Sequence, residues 1–130
     1  MELLPEGQRN TATEVSWEDQ QKINKFSTLV NKKDIQIAKL NNLKIEKEYL
    51  DDLSVELELL DEDEKIQYKV GDCFIFLPVF KALKKIEGND LKLSEEINEI
   101  GSRIEQYDDD LNDLKKHLYA KFGKNINSER

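Results

Sequence analysis

Residues 69–78, KVGDCFIFLP, set five apolar residues in unbroken succession, Cys73, Phe74, Ile75, Phe76 and Leu77, between a Gly-Asp pair and a proline. The preceding segment, Ile66 to Val70, alternates apolar and polar side chains. Gly71-Asp72 is a two-residue connection with glycine first, the type II′ pattern whose twist suits the strands it joins. A β-hairpin over 65–77 is expected, closed by Pro78, which has no N–H to give a ladder. Along the second strand Cys73, Ile75 and Leu77 point to one face and Phe74 and Phe76 to the other, so both faces are apolar. A lone two-stranded hairpin is marginal in water and carries two unpaired edges. One pair of helix ends covers one face. The other face calls for strands from neighbouring chains, unless the whole run packs onto its own helix ends.

The flanks supply those helices. From Val79 a 4,3 spacing runs through Leu83, Ile86, Asp90, Leu93, Ile97, Ile100, Ile104, Tyr107, Leu111, Leu114 and Leu118, so eleven of twelve seam positions are apolar and Asp90 alone is not. A repeat sustained this long predicts a coiled-coil helix over 79–122. Lys115, Lys116, His117 and Lys121 sit toward the negative end of its dipole, and Gly123 suits the left-handed residue after the last turn. Upstream, Ser16 offers an N-cap with Glu18 and Asp19 in the first turn. The helix predicted over 16–61 carries Ile23, Phe26, Val30, Ile37 and Leu40, then Leu50, Leu53, Leu57 and Leu60. Lys33 interrupts this stripe, and the spacing slips at Leu43, which implies local overwinding near 40–46.

Two helices of about 44 residues, each on the order of 65 Å long, joined by a short hairpin fold back on one another. The fold class is therefore mainly α, an antiparallel two-helix coiled coil joined by one β-hairpin that enters an intersubunit β-barrel. All of 1–130 is read as one domain. Residues 1–15, with Pro5 and Gly7, form a flexible lead-in, and 123–130 a tail.

Composition narrows the function. With 38% hydrophobic against 37% charged residues, the chain is too polar for a thick globular core, which again favours long helices. Net charge is −8. Residues 46–64 hold ten acids against Lys47 alone, a local charge of −9 that leaves the rest at +1. Phosphate backbones and anionic lipid repel such a surface, so neither nucleic acid nor membrane is expected as a partner. No run approaches the roughly 18 apolar residues of a membrane helix, and MELLPEGQRN has no signal-peptide pattern. The single cysteine, Cys73, reads as a small buried hydrophobe in a reducing compartment. A cytoplasmic protein is expected, with the nucleus as the alternative.

Two segments, EKEYLDDLSVELELLDEDEKIQYKVGDCFIF (46–76) and LYAKFGKNINSER (118–130), resemble the β-class subunits of eukaryotic prefoldin, and the likeness extends over nearly the whole chain. A single hairpin fits the β-class, since α-class subunits carry two. The resemblance implies a heterohexamer, this chain joined by two α-class and three further β-class subunits, whose hairpins form a β-barrel platform from which the coiled coils hang. It implies capture of unfolded polypeptides, notably nascent actin and tubulin, at the coiled-coil tips, and delivery to the cytosolic chaperonin without ATP. The assembly residues would be Ile66, Tyr68, Val70, Phe74, Ile75, Phe76 and Leu77. The client-facing residues would be Trp17, Phe26, Leu118, Tyr119, Phe122 and Ile126. The physics of a frayed coil end agrees, because exposed apolar side chains of adaptable geometry bind unfolded segments without sequence specificity, and several tips together gain avidity. The alternative is that these aromatics cap the coil and bury one another.

No catalytic chemistry stands against this. His117 is the only histidine and has no cysteine or carboxylate pair at ligand spacing. Asp61-Glu62-Asp63-Glu64 lacks the glycine and spacing of a calcium loop. There is no phosphate-binding glycine loop and no nucleophile elbow. Neither enzyme activity nor a cofactor or metal is expected. The rival reading is a structural coiled-coil adaptor of a tethering or cytoskeletal complex, in which the hairpin is a docking plug.

Overall fold

The computed structural model describes residues 16–123, so the lead-in and residues 124–130 of the tail, Ile126 among them, lie outside the described residues. The elements run α1 (Trp17–Glu58), β1 (Lys65–Val70), β2 (Cys73–Pro78) and α2 (Val79–Phe122). The described residues pack in two compact units, 16–37 with 102–123, and Ala38–Gly101.

In the first unit the helix start is built by its cap. Asp19 N–H donates to Ser16 Oγ at 3.1 Å while the Ser16 hydroxyl donates back to the Asp19 carboxylate at 2.9 Å, so two groups of the first turn are satisfied locally. Ile23 packs with Leu118 and Phe122. Further along α1, Leu29 and Val30 pack with Leu111, supported by Phe26, Tyr107 and Leu114. Partners ascend on α1 as they descend on α2, which makes the pair antiparallel.

The second unit has its core at Leu57, Val79, Ala82 and Ile86, with Leu50, Leu53, Leu83 and the strand residues Ile66, Tyr68 and Leu77 against it. β1 and β2 pair antiparallel in the register Val70↔Cys73 through Lys65↔Pro78. Gly71 has φ 61° and among the described residues none other than glycine has positive φ, so Asp72 does not, which is the type II′ arrangement expected of Gly-Asp. The ladder extends one residue beyond 77, to Pro78.

All twelve seam positions of α2 are buried or half-buried, Asp90 included. On α1 the covered series reads Ile37, Leu40, Leu43, Lys47, Leu50, a 3,3,4,3 spacing that is the local overwinding expected there. Both charged interruptions of the seam are answered by an opposite charge on the other helix. Lys33 pairs with Asp108 at 2.5 Å, and Asp90 with Lys47 at 3.2 Å.

α1 stops at Glu58, three residues short of the expected 61. No basic residue occupies its last turn, and acids crowd the negative end of the dipole from Glu56 onward. The chain tightens instead: Leu59 N–H bonds Glu56 C=O and Leu60 N–H bonds Leu57 C=O, both i→i−3. The acidic run then finds a favourable place. Carbonyls of Glu64 and Glu62 accept the Val79 and Phe80 N–H groups at 2.8 and 3.1 Å, closing the first turn of α2 and setting acids beside its positive end.

Candidate assembly surface and helix-end site

Alternation along the strands sorts the hairpin residues. Ile66, Tyr68 and Leu77 turn inward and are half-buried on the unit's own core. Nearer the turn this same face runs past the helices, leaving Ile75 and Val70 substantially exposed. Cys73 is exposed as well, which corrects the expectation of a buried cysteine: it lies beside the turn, beyond the reach of the helices. On the opposite face nothing covers the aromatics, and Phe74 is 61% and Phe76 68% exposed. Of the seven expected assembly residues, then, three serve the chain's own core and four are open.

Sequence reasoning overlooked three neighbours in the same unit. Leu59, Leu60 and Phe80 are exposed apolar residues flanking the hairpin. Phe80 lies outside the heptad seam, which was the available signal; Leu60 was assigned to the seam because α1 was expected to continue past it. Lys47 was likewise missed as a seam residue. It lies 3.0 Å from Asp51 and 3.2 Å from Asp90. The hydrogen bond that Lys47 Nζ donates to Asp51, with the Asp90 carboxylate beside it, holds its ammonium above the usual lysine range, and Lys47 in turn holds Asp51 below the usual carboxylate range. Asp90 Oδ1 accepts no well-aligned hydrogen bond, so the Lys47 charge is its compensation.

The helix-end residues divide differently. Trp17 is 76% exposed and Tyr119 48%. Leu118 and Phe122 are buried against Ile23, and Phe26 packs against the Leu29, Val30 and Leu111 cluster, so these three are core rather than open client-facing surface. The seam simply continues past Leu118 by one more step of four, to Phe122. Asp19 is 3% exposed yet charged, because Lys121 reaches it as a salt bridge. That Lys121 hydrogen bond, aided by Ser16, holds its carboxyl below the usual carboxylate range against the opposing effect of burial. Lys121 also lies 5.8 Å from the Phe122 ring centroid. Lys22 Nζ lies 2.8 Å from Nε2 of the exposed His117, which stands 4.0 Å from Asp19.

Among the described residues no group of three or more His, Cys, Asp or Glu is placed to hold a metal ion, and no helix is long and apolar enough to cross a membrane.

Comparison with known proteins agrees with this arrangement. Residues 20–125 match the family described as prefoldin subunit. The chain is 52% identical over 130 residues to prefoldin subunit 4 of Saccharomyces cerevisiae, covering 100% of both chains. It is 38% identical over 116 residues to prefoldin subunit 4 of Homo sapiens, covering 88% of this chain and 87% of that one. The solved prefoldin beta subunit from Thermococcus strain KS-1 superposes with a TM-score of 0.76 over 84% of this chain and 96% of that chain, at 13% identity, a likeness of fold.

Proposed function

The chain belongs to the prefoldin subunit family, and on that premise we propose that it is a non-enzymatic chaperone subunit that works only within a hetero-oligomer. Its open hairpin joins those of two α-class and three further β-class subunits in a shared β-barrel. The assembly captures unfolded polypeptides, actin and tubulin among them, at the helix ends and passes them to the cytosolic chaperonin without ATP, in the cytoplasm. One observation carries the assembly half of this reading: Phe74 and Phe76 stand in water in the solitary chain. Covering them contributes roughly 1.5 to 3 kcal/mol each, and the chain's own helices do not do so, since they meet the hairpin on its opposite face, through Ile66, Tyr68 and Leu77. A spacer in an adaptor complex seldom needs a hairpin apolar on both faces, whereas a shared barrel does, and family membership lends that alternative nothing.

The test is reconstitution. Mixed with α-class and other β-class subunits, the chain enters one defined hexamer by native mass spectrometry, and that hexamer suppresses aggregation of unfolded actin. A chain that stays monomeric in the presence of its partners refutes the proposal.

A further inference from the structure

The outward face of α1 beside the hairpin is not an ordinary coiled-coil exterior. Advancing about 100° per residue, Ile45, Tyr49, Val55 and, in the turn that follows, Leu59 fall within an arc of roughly 120°, on the side opposite the Leu50 and Leu57 seam. They are 66%, 66%, 61% and 83% exposed. The outside of a two-helix pair has no core to face, so polar residues are the rule there, and four large apolar side chains on one such face mark a contact surface.

Its charge states what kind of contact. Glu48, Asp52 and Glu56 project from the same arc, all exposed, and none makes an ion pair among the described residues. The arc contains no cation, because the one lysine of the acidic stretch, Lys47, is turned into the seam and held there by Asp51 and Asp90. Apolar side chains interleaved with unpaired carboxylates complement an amphipathic segment that offers leucine-like anchors with lysine or arginine between them, and repel an acidic one.

We propose that this face, Ile45 to Leu59, is a docking surface for a cationic amphipathic helix of a partner protein. It is separate in kind from the hairpin, since it acts through helix-borne anchors and charge and not through strand pairing. Its occupancy does not depend on the chaperone reading.

The test uses the full chain in its assembled complex and a synthetic probe, a lysine-leucine peptide of about 18 residues with leucines at helical spacing, against a scrambled isomer of identical composition. The patterned peptide binds about tenfold or more tightly than the scrambled one. Ile45→Ser with Tyr49→Ser brings the two to equality. Glu48→Gln, Asp52→Asn and Glu56→Gln together weaken binding and flatten its dependence on salt. All five positions are exposed, so helical circular dichroism and complex mass stay unchanged. Equal binding of both peptides to the unaltered chain, or patterned binding that survives both sets of changes, overturns the proposal. Loss of the complex in the Ile45→Ser, Tyr49→Ser variant overturns it too, by making the face a contact between subunits.

Discussion

The region around Ile23, Leu118 and Phe122 and the hairpin around Phe74 and Phe76 are both rich in apolar side chains, yet they treat them in opposite ways. Around Ile23 the chain covers its own: Phe122 and Leu118 are buried, a serine cap closes the helix start, and Asp19 with Lys121 seals the edge. At the hairpin it leaves two phenylalanines wet. The difference is one of geometry. A helix seam presents a single stripe, which one partner helix can satisfy, whereas a strand presents two faces and a pair of helix ends can satisfy only one. The hairpin is thus incomplete by construction and the helix ends are nearly complete alone.

Replacing the uncovered aromatics should break the hairpin side of this contrast outright. Phe74→Asp with Phe76→Asp removes the surface that assembly covers and buries two charges if assembly proceeds, so the expected result is loss of the hexamer by size-exclusion chromatography with light scattering. Helical circular dichroism of the chain stays the same, because neither residue touches its core. The reverse holds for Phe122→Ala: assembly persists, and the helix ends lose about 3 kcal/mol, the low end for a buried phenylalanine because the site adjoins a helix terminus. Chemical denaturation of the complex reads that loss, and a value near zero would mean that Phe122 is not core.

Smaller, and specific to the capped end, is the effect of Ser16→Ala, expected to cost about 1 kcal/mol. The same corner carries a pH dependence whose sign is fixed by Asp19. Its carboxyl is held below its ordinary value of 3.8 in the folded chain, so the unfolded chain takes up the proton first. The contribution is full above pH 3.8 and disappears as pH falls through the lowered value. Asp19→Asn removes this acid-sensitive component, which a comparison of thermal unfolding at pH 3 to 6 for the two proteins would detect.

The helices and hairpin were legible because each rests on a local rule: seven-residue periodicity, a glycine-first turn, a serine cap. Charged seam residues were half legible. Asp90 was visible as a break, but its answer, Lys47, sits in a stretch of α1 where the spacing has shifted, so no regular repeat would place it in the seam. The end of α1 was misplaced because Leu60 continues the apolar pattern, while what ends the helix is the dipole's conflict with the acids around it. Exposure was the least legible property. The sequence does not distinguish Trp17 from Phe122, both aromatic and both near a helix end; one stands exposed at the first helical position, the other is buried one step further along the seam.

That last distinction yields the smallest stability effect and the sharpest test of where client chains would bind. Trp17→Ala and Tyr119→Ala remove exposed side chains that pack in neither cluster, so each should change stability by less than about 0.5 kcal/mol, and the hexamer should form with unaltered mass. If the helix ends hold unfolded chains, the pair of changes nonetheless weakens suppression of actin aggregation, because these two are the described aromatics of the region with surface to offer. Phe122→Ala gives the opposite signature, a large loss of stability with suppression preserved at temperatures where the helix ends stay folded. A double variant that suppresses aggregation as well as the unaltered chain would move the client site away from these aromatics, to the basic residues of the last turns of α2 or to another subunit.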